Sequence, residues 1–175
     1  RLARGYTARG YATGDALALA SANSAEFLAV YYACAKLGLV CVPINLGWRA
    51  DEVAYVLGHS RARGVVVEER LVEQMPEVGD VIVAERLDQL LSDDSTPPEV
   101  VVEDRAPLSY LYTSGTTSFP KGVVGTHLGI HLESMSAALD SGWRSDDRFL
   151  AMMPMFHTAQ LNAFCTPAVV VGATI

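Results

Sequence analysis

An α/β fold, with layered and mostly parallel sheets flanked by helices, is predicted by two features of this sequence. Apolar runs of strand length alternate with stretches of helical periodicity along nearly the whole chain, the pattern of βα units. Half of the 175 residues are apolar and only 19% are charged, which is the composition of an ordered core rather than a disordered chain.

Taken in order, Ala16–Ala20 reads as a strand and Ala25–Leu37 as a helix. Asn23 and Glu26, three apart, form a capping pair at its start. Phe27, Leu28, Val30, Tyr31, Cys34, Ala35 and Leu37 give it a broad apolar face, and Gly38 offers the left-handed residue that ends it. A strand at Val40–Ile44 follows, then a helix at Asp51–Leu57 closed by Gly58, and strands at Gly64–Val67 and Asp80–Val83. A helix at Arg86–Leu91 completes the first half. The acidic, proline-bearing stretch Asp93–Glu99 marks a linker, which divides the chain into a first α/β subdomain (1–94), a connection (95–106) and a second α/β segment (107–175). That segment reads as strand Ser109–Tyr112, a polar loop, strand Gly122–Val124, helix Leu128–Leu139, strand Phe149–Met152, a helix near Ala159–Phe164 and strand Ala168–Val171.

Charge and composition exclude several partners. A formal net charge of −7 without a basic stripe argues against nucleic acid. No apolar run reaches the roughly 20 residues of a membrane-spanning helix, and Arg1–Gly14 lacks the apolar centre of a signal peptide. Cys34, Cys41 and Cys165 are odd in number and lie in apolar surroundings, so buried reduced thiols in a cytoplasmic protein are the economical reading. His127 and His131 stand four apart on one helix, but no glutamate follows the first and no third ligand is evident for zinc. The pairs Asp93-Asp94 and Asp146-Asp147 read as solvated turn charges.

The chemistry concentrates in Tyr112-Thr113-Ser114-Gly115-Thr116-Thr117-Ser118-Phe119-Pro120-Lys121-Gly122. Small and hydroxylated residues let backbone amides approach anionic oxygens, and a lysine adds a point charge, which suits a polyphosphate. It is not a Walker A loop, because Gly122 rather than Ser or Thr follows the lysine. The string closely resembles the phosphate-loop signature of the adenylate-forming superfamily, which includes acyl-CoA synthetases, peptide-synthetase adenylation domains and luciferases. Only Ser118 departs from it, where glycine is commoner. Met153-Pro154-Met155-Phe156-His157 is similar to that superfamily's Pro-x-Phe-His motif, and Asn23-Ser24-Ala25-Glu26 to its Asn-Ser-x-Glu helix start.

The resemblance implies the amino-terminal domain of an acyl-CoA-synthetase-like fold, of which this chain is an amino-terminal fragment. It implies ATP-dependent activation of a carboxylic acid to an acyl-adenylate and then transfer to coenzyme A. Thr113, Ser114, Gly115, Thr116, Thr117, Ser118 and Lys121 would hold the β- and γ-phosphates. Lys121 and His157 are the candidate catalytic residues, His157 bordering the acyl carboxylate. Thr116 would share a Mg2+ with an acidic ligand that lies outside this chain. Amino-acid-activating members carry Asp at the position of His157, so a fatty or aryl acid is expected. The fragment is expected to be inactive alone. The alternative is a non-catalytic nucleotide-binding or assembly module on the same scaffold.

Overall fold

In the computed structural model, which describes residues 1–113 and 119–175, six strands form one sheet in the order β4-β3-β1-β2-β5-β6. They are β1 (Ala16–Ala20), β2 (Val40–Pro43), β3 (Ala62–Val67), β4 (Asp80–Val83), β5 (Pro107–Thr113) and β6 (Lys121–Thr126). All neighbours run parallel except β5 and β6, which make an antiparallel hairpin. Because β5 pairs with β2, through Cys41 and Ser109, the sheet continues across the 95–106 connection.

The central strands are short apolar runs because both faces of the sheet are covered. Leu17, Leu19, Leu39, Cys41 and Val66 meet α1 (Leu2–Ala8) and α2 (Ala25–Leu37), through Leu2, Tyr6, Phe27, Val30, Tyr31 and Cys34. Residues one position out of phase, among them Ala16, Ala18, Val42, Val65 and Val67, meet Val53, Val56 and Leu57 of α3 (Ala50–Ser60). The period-two alternation of side chains thus builds two cores from one sheet. Each large apolar side chain buried there contributes about 1.5–3 kcal/mol. Cys34, Cys41 and Cys165 are free and buried, as expected of structural thiols.

Several expected elements differ from those observed. Helix α1 lies inside the polar, glycine-bearing Arg1–Gly14. It is admitted by Gly5, where a Cβ would stand 1.9 Å from the Leu90 carbonyl oxygen. The α2 N-cap is Ser24, whose hydroxyl accepts from the Phe27 amide at 3.0 Å, and not Asn23. Helix α3 runs through Gly58 and ends at Arg61, which takes the left-handed conformation (φ 54°). Near the expected helix Arg86–Leu91, 3-10 turns span Ala84–Leu90.

The second segment departs furthest. Past β6, α4 (His127–Asp140) is capped by the Thr126 hydroxyl, which accepts from Gly129 N–H at 3.1 Å. The expected strand Phe149–Met152 is irregular, with its only bridge nearby at Arg148 and Thr174 among the described residues. The expected strand Ala168–Val171 is helical: α5 (Thr158–Gln160), a π-turn (Leu161–Cys165) and α6 (Thr166–Val171) follow one another. Pro167 in the first turn of α6 and left-handed Gly172 (φ 75°) after it are helix start and stop signals. A short apolar run carries no periodicity strong enough to outweigh them.

The connection after Asp93 is fastened rather than loose. Arg4 Nε lies 3.0 Å from an Asp94 carboxylate oxygen and also donates to the Thr96 carbonyl at 2.8 Å. The hydroxyl and amide of Thr96, with help from Arg4, lower the Asp94 pKa.

Candidate functional site

The sheet's direction places the candidate residues. β1, β2 and β5 are parallel neighbours, so the turns after Ala20, Pro43 and Thr113 emerge at one edge. Carboxyl edges of parallel sheets, where strand ends open a crevice, are where α/β folds bind ligands.

The expected phosphate loop leaves β5 at Thr113 and returns at Lys121, and these two residues face each other in the hairpin register. Both are exposed. Ser114, Gly115, Thr116, Thr117 and Ser118 lie outside the described residues. The two sides of the loop are anchored by an aromatic stack rising from α3. Tyr55 lies against Phe119 (centroids 4.6 Å, planes 27° apart) and against His59 (5.3 Å, 23°). His59 Nδ1 in turn is 2.7 Å from the Tyr112 hydroxyl, just before the loop. Burial, with the neighbouring phenols of Tyr55 and Tyr110, pushes the Tyr112 pKa up to about 12, so its hydroxyl is neutral. Gly122 makes a close approach: a Cβ there would stand 3.0 Å from the Tyr112 ring, which would have to shift by a few tenths of an ångström.

His157 occupies the N-cap position of α5 with its ring exposed and no capping bond from it, tilted against Phe156 at 5.8 Å. Its segment owes its shape to two side-chain amides. Asn23 Nδ2 donates to the carbonyls of Ala151 (3.0 Å) and Met153 (2.8 Å), and Asn23 Oδ1 accepts from the Met155 amide at 2.7 Å. The buried Gln160 accepts from the Met153 amide at 3.0 Å. These bonds replace a strand ladder, which is why the apolar run at 149–152 does not pair as expected. Asn23 sits three residues beyond β1, two strands from the end of β5, roughly 10 Å across at the usual strand spacing. The topology therefore brings the Lys121 hairpin and the His157 segment to the same edge.

Sequence reasoning took Asn23 for a cap and passed over Gln160, Tyr55 and His59. Nothing local marks a contact across 132 positions such as Asn23 to Met155. Tyr55 and His59, four apart on α3, could have been noticed as an aromatic pair on one face. His127 is partly buried at the start of α4, its backbone N–H on the Ala106 carbonyl (3.1 Å) and its Nε2 without a partner among the described residues. Burial lowers its pKa, against a weaker opposite pull from Asp104. Among the described residues no three His, Cys, Asp or Glu stand together to hold a metal.

A cavity of about 570 Å3 is lined by Ser21, Glu26, Glu68, Glu85, Asp88 and apolar side chains, and, among the described residues, by none of Thr113, Lys121 and His157. Its carboxylate rim is ill suited to a polyphosphate. The Ala22 amide and Ser21 hydroxyl already donate to the Glu68 carboxylate, which Arg70 also holds.

A family model described as AMP-binding enzyme matches residues 1–175. A long-chain-fatty-acid–CoA ligase, FadD13, of Mycobacterium tuberculosis (strain ATCC 25618 / H37Rv) is 39% identical over 170 residues, covering 89% of this chain and 33% of its own. A 4-hydroxybutyrate–CoA ligase of Metallosphaera sedula is 33% identical, over 95% of this chain and 34% of its own. The inhibitor-bound N-terminal domain of FACL13 from M. tuberculosis superposes with a TM-score of 0.90 at 36% identity, over 99% of this chain and 46% of that one. The chain thus spans about a third of the length of the curated relatives it matches.

Proposed function

Because the chain belongs to the AMP-binding enzyme family, we propose that it is the phosphate-gripping part of an enzyme that converts a carboxylic acid to its acyl-CoA thioester. In the first half-reaction a carboxylate oxygen attacks the α-phosphorus of ATP, the bond to the β-phosphate oxygen breaks, and pyrophosphate leaves. In the second, the thiolate of coenzyme A attacks the acyl carbon and AMP departs with its bonding pair. The CoA-ligase relatives support this reading.

The observation that carries it is the arrival of the Lys121 hairpin and the His157 segment at one carboxyl edge. Gripping the β- and γ-phosphates holds the leaving pyrophosphate opposite the attacking carboxylate, which is work of positioning and electrostatics. Thr113, the loop residues Ser114, Gly115, Thr116, Thr117 and Ser118, and the Lys121 ammonium would do this. Pro120 stiffens the return of the loop. His157, with an exposed ring, would border the acyl carboxylate and favours a fatty or aryl acid over an amino acid, whose ammonium needs an anionic partner. A divalent ion such as Mg2+ would come with the nucleotide and supply further positive charge beside the leaving pyrophosphate, with Thr116 as a candidate ligand.

ATP–pyrophosphate exchange tests the reading in a polypeptide of the relatives' length that carries this segment. Removing a cation aimed at developing phosphate charge costs on the order of 100-fold in rate, and Lys121→Ala is expected to lose that much with the fold intact. Unchanged exchange would overturn the assignment, and nucleotide binding indifferent to Lys121→Ala would favour a non-catalytic module. The 175-residue chain alone is expected not to turn over.

A further inference from the structure

We infer that Asn23 is the positioning residue for the acid-binding side of the site, clamping the Ala151–Met155 backbone so that His157 is presented at the carboxyl edge of the sheet. The proposal rests on the functional reading above for the role of His157, but its geometry stands apart from it.

A primary amide is suited to this task because it donates two hydrogen bonds and accepts on its oxygen. Asn23 uses all of these functions on one stretch of backbone: donors to Ala151 O and Met153 O, acceptor from Met155 N–H. Neither residue beside it can substitute, since Ser24 caps α2 and Ala22 N–H is committed to Glu68. Two residues past Met155, the backbone N–H of His157 closes a turn on the Pro154 carbonyl at 3.0 Å, and its carbonyl accepts from Leu161 at 3.0 Å. The His157 backbone is thus fastened on both sides, and Met155 is buried in the core between the clamp and the helix. The clamp reaches Met155 from the residues just past β1, so the position of His157 is referred to the sheet rather than to its own loop.

Amide hydrogen exchange on this chain reads the clamp, with Asn23→Ala, Asn23→Asp and His157→Ala. Asn23→Ala is expected to speed exchange at Met155 roughly tenfold, the equivalent of one lost hydrogen bond near the upper end of its usual strength. The Phe27 amide, held by Ser24, and the strand amides of β1 should stay protected. Asn23→Asp keeps an acceptor for Met155 but turns an oxygen on the Ala151 and Met153 carbonyls, so it should rescue Met155 protection only in part. Protection unchanged in Asn23→Ala, or lost equally across β1, would overturn the clamp. In a polypeptide of the relatives' length, Asn23→Ala should raise KM for the carboxylic acid several-fold with KM for ATP unchanged. If Met155 loosens while that KM does not move and His157→Ala is equally silent, the clamp stands and the role given to His157 falls. If His157→Ala raises that KM and Asn23→Ala does not, the positioning claim falls.

Discussion

The aromatic stack on α3 makes a quantitative prediction at the entrance to the phosphate loop. Tyr112→Phe deletes the hydroxyl that sits 2.7 Å from His59 Nδ1 and leaves the ring, which is almost fully buried, in place. His59 is exposed, so water can take over its nitrogen and no full desolvation penalty follows. The loss is therefore about 1 kcal/mol, the net worth of an ordinary hydrogen bond. In a chain of this length that corresponds to roughly 2–4 °C in Tm. His59→Phe removes the same bond while keeping a ring to lie on Tyr55. A double-mutant cycle by urea unfolding should then give a coupling energy of about 0.5–1 kcal/mol, because the second substitution has nothing left to break. Phe119→Ala, on the far side of the loop, serves as a distinct probe: it deletes a stacked pair worth about 0.5–1.5 kcal/mol beyond its area. Additivity of Tyr112→Phe and His59→Phe within about 0.3 kcal/mol would refute the claim that these side chains bind the hairpin to α3.

Three other perturbations follow from the geometry. Gly5→Ala puts a methyl group on the Leu90 carbonyl, a backbone atom that cannot swing away, and should cost about 3 kcal/mol or force α1 off the 3-10 turns at Ala84–Leu90, read by thermal unfolding. Asp80 is held below the usual carboxylate range chiefly by Arg9, which grips it at 2.5 and 3.1 Å, with help from Tyr11. A depressed carboxyl contributes stability above its unfolded pKa, near 4, that is lost as pH falls through the folded value. Asp80→Asn should accordingly destabilise at neutral pH and converge on the parent in acid, in urea unfolding across pH. His127, whose pKa is lowered by burial, works in the same direction at higher pH: stability is full above about 6.5 and declines as pH falls through the folded value. His127→Gln should flatten that part of the pH–stability profile.

What was legible in the sequence follows the range of the forces involved. β1, α2 and β4 fall where apolar patterning and Gly38 put them, because those signals are local. Strands β5 and β6 and helix α4 were also visible, each read one or two residues short at either end, at Ser109–Tyr112, Gly122–Val124 and Leu128–Leu139. Failures came where a distant partner decides. Ala168–Val171 has the composition of a strand, yet besides the local Pro167 and Gly172 signals α6 packs on α4, where the Thr166 hydroxyl accepts a hydrogen bond from Ser134 at 2.8 Å. Phe149–Met152 is likewise apolar, yet its long-range backbone partners are Asn23 and Thr174. The phosphate-loop string and the His157 motif were conspicuous one by one. That they share an edge was not, since this depends on the order of strands.

That order also gives the two candidate segments a common frame. β1, β2 and β5 are rigid neighbours, so their carboxyl ends keep a fixed separation set by strand spacing rather than by loops. The hairpin proposed to face the nucleotide is an outgrowth of β5, while the segment proposed to face the acid hangs from the turn after β1 through one asparagine. Each can vary in sequence without moving the other, provided its root in the sheet is kept. A substitution that repacks the face between them, such as Cys41→Phe on β2, where the thiol is wholly buried, should disturb both at once. It should raise KM for ATP and for the acid together, in the steady-state kinetics of a polypeptide of the relatives' length. Lys121→Ala should act on the nucleotide alone and Asn23→Ala on the acid alone. A Cys41→Phe protein that folds and shows only one of the two shifts would mean that the sites are not referenced to a common sheet.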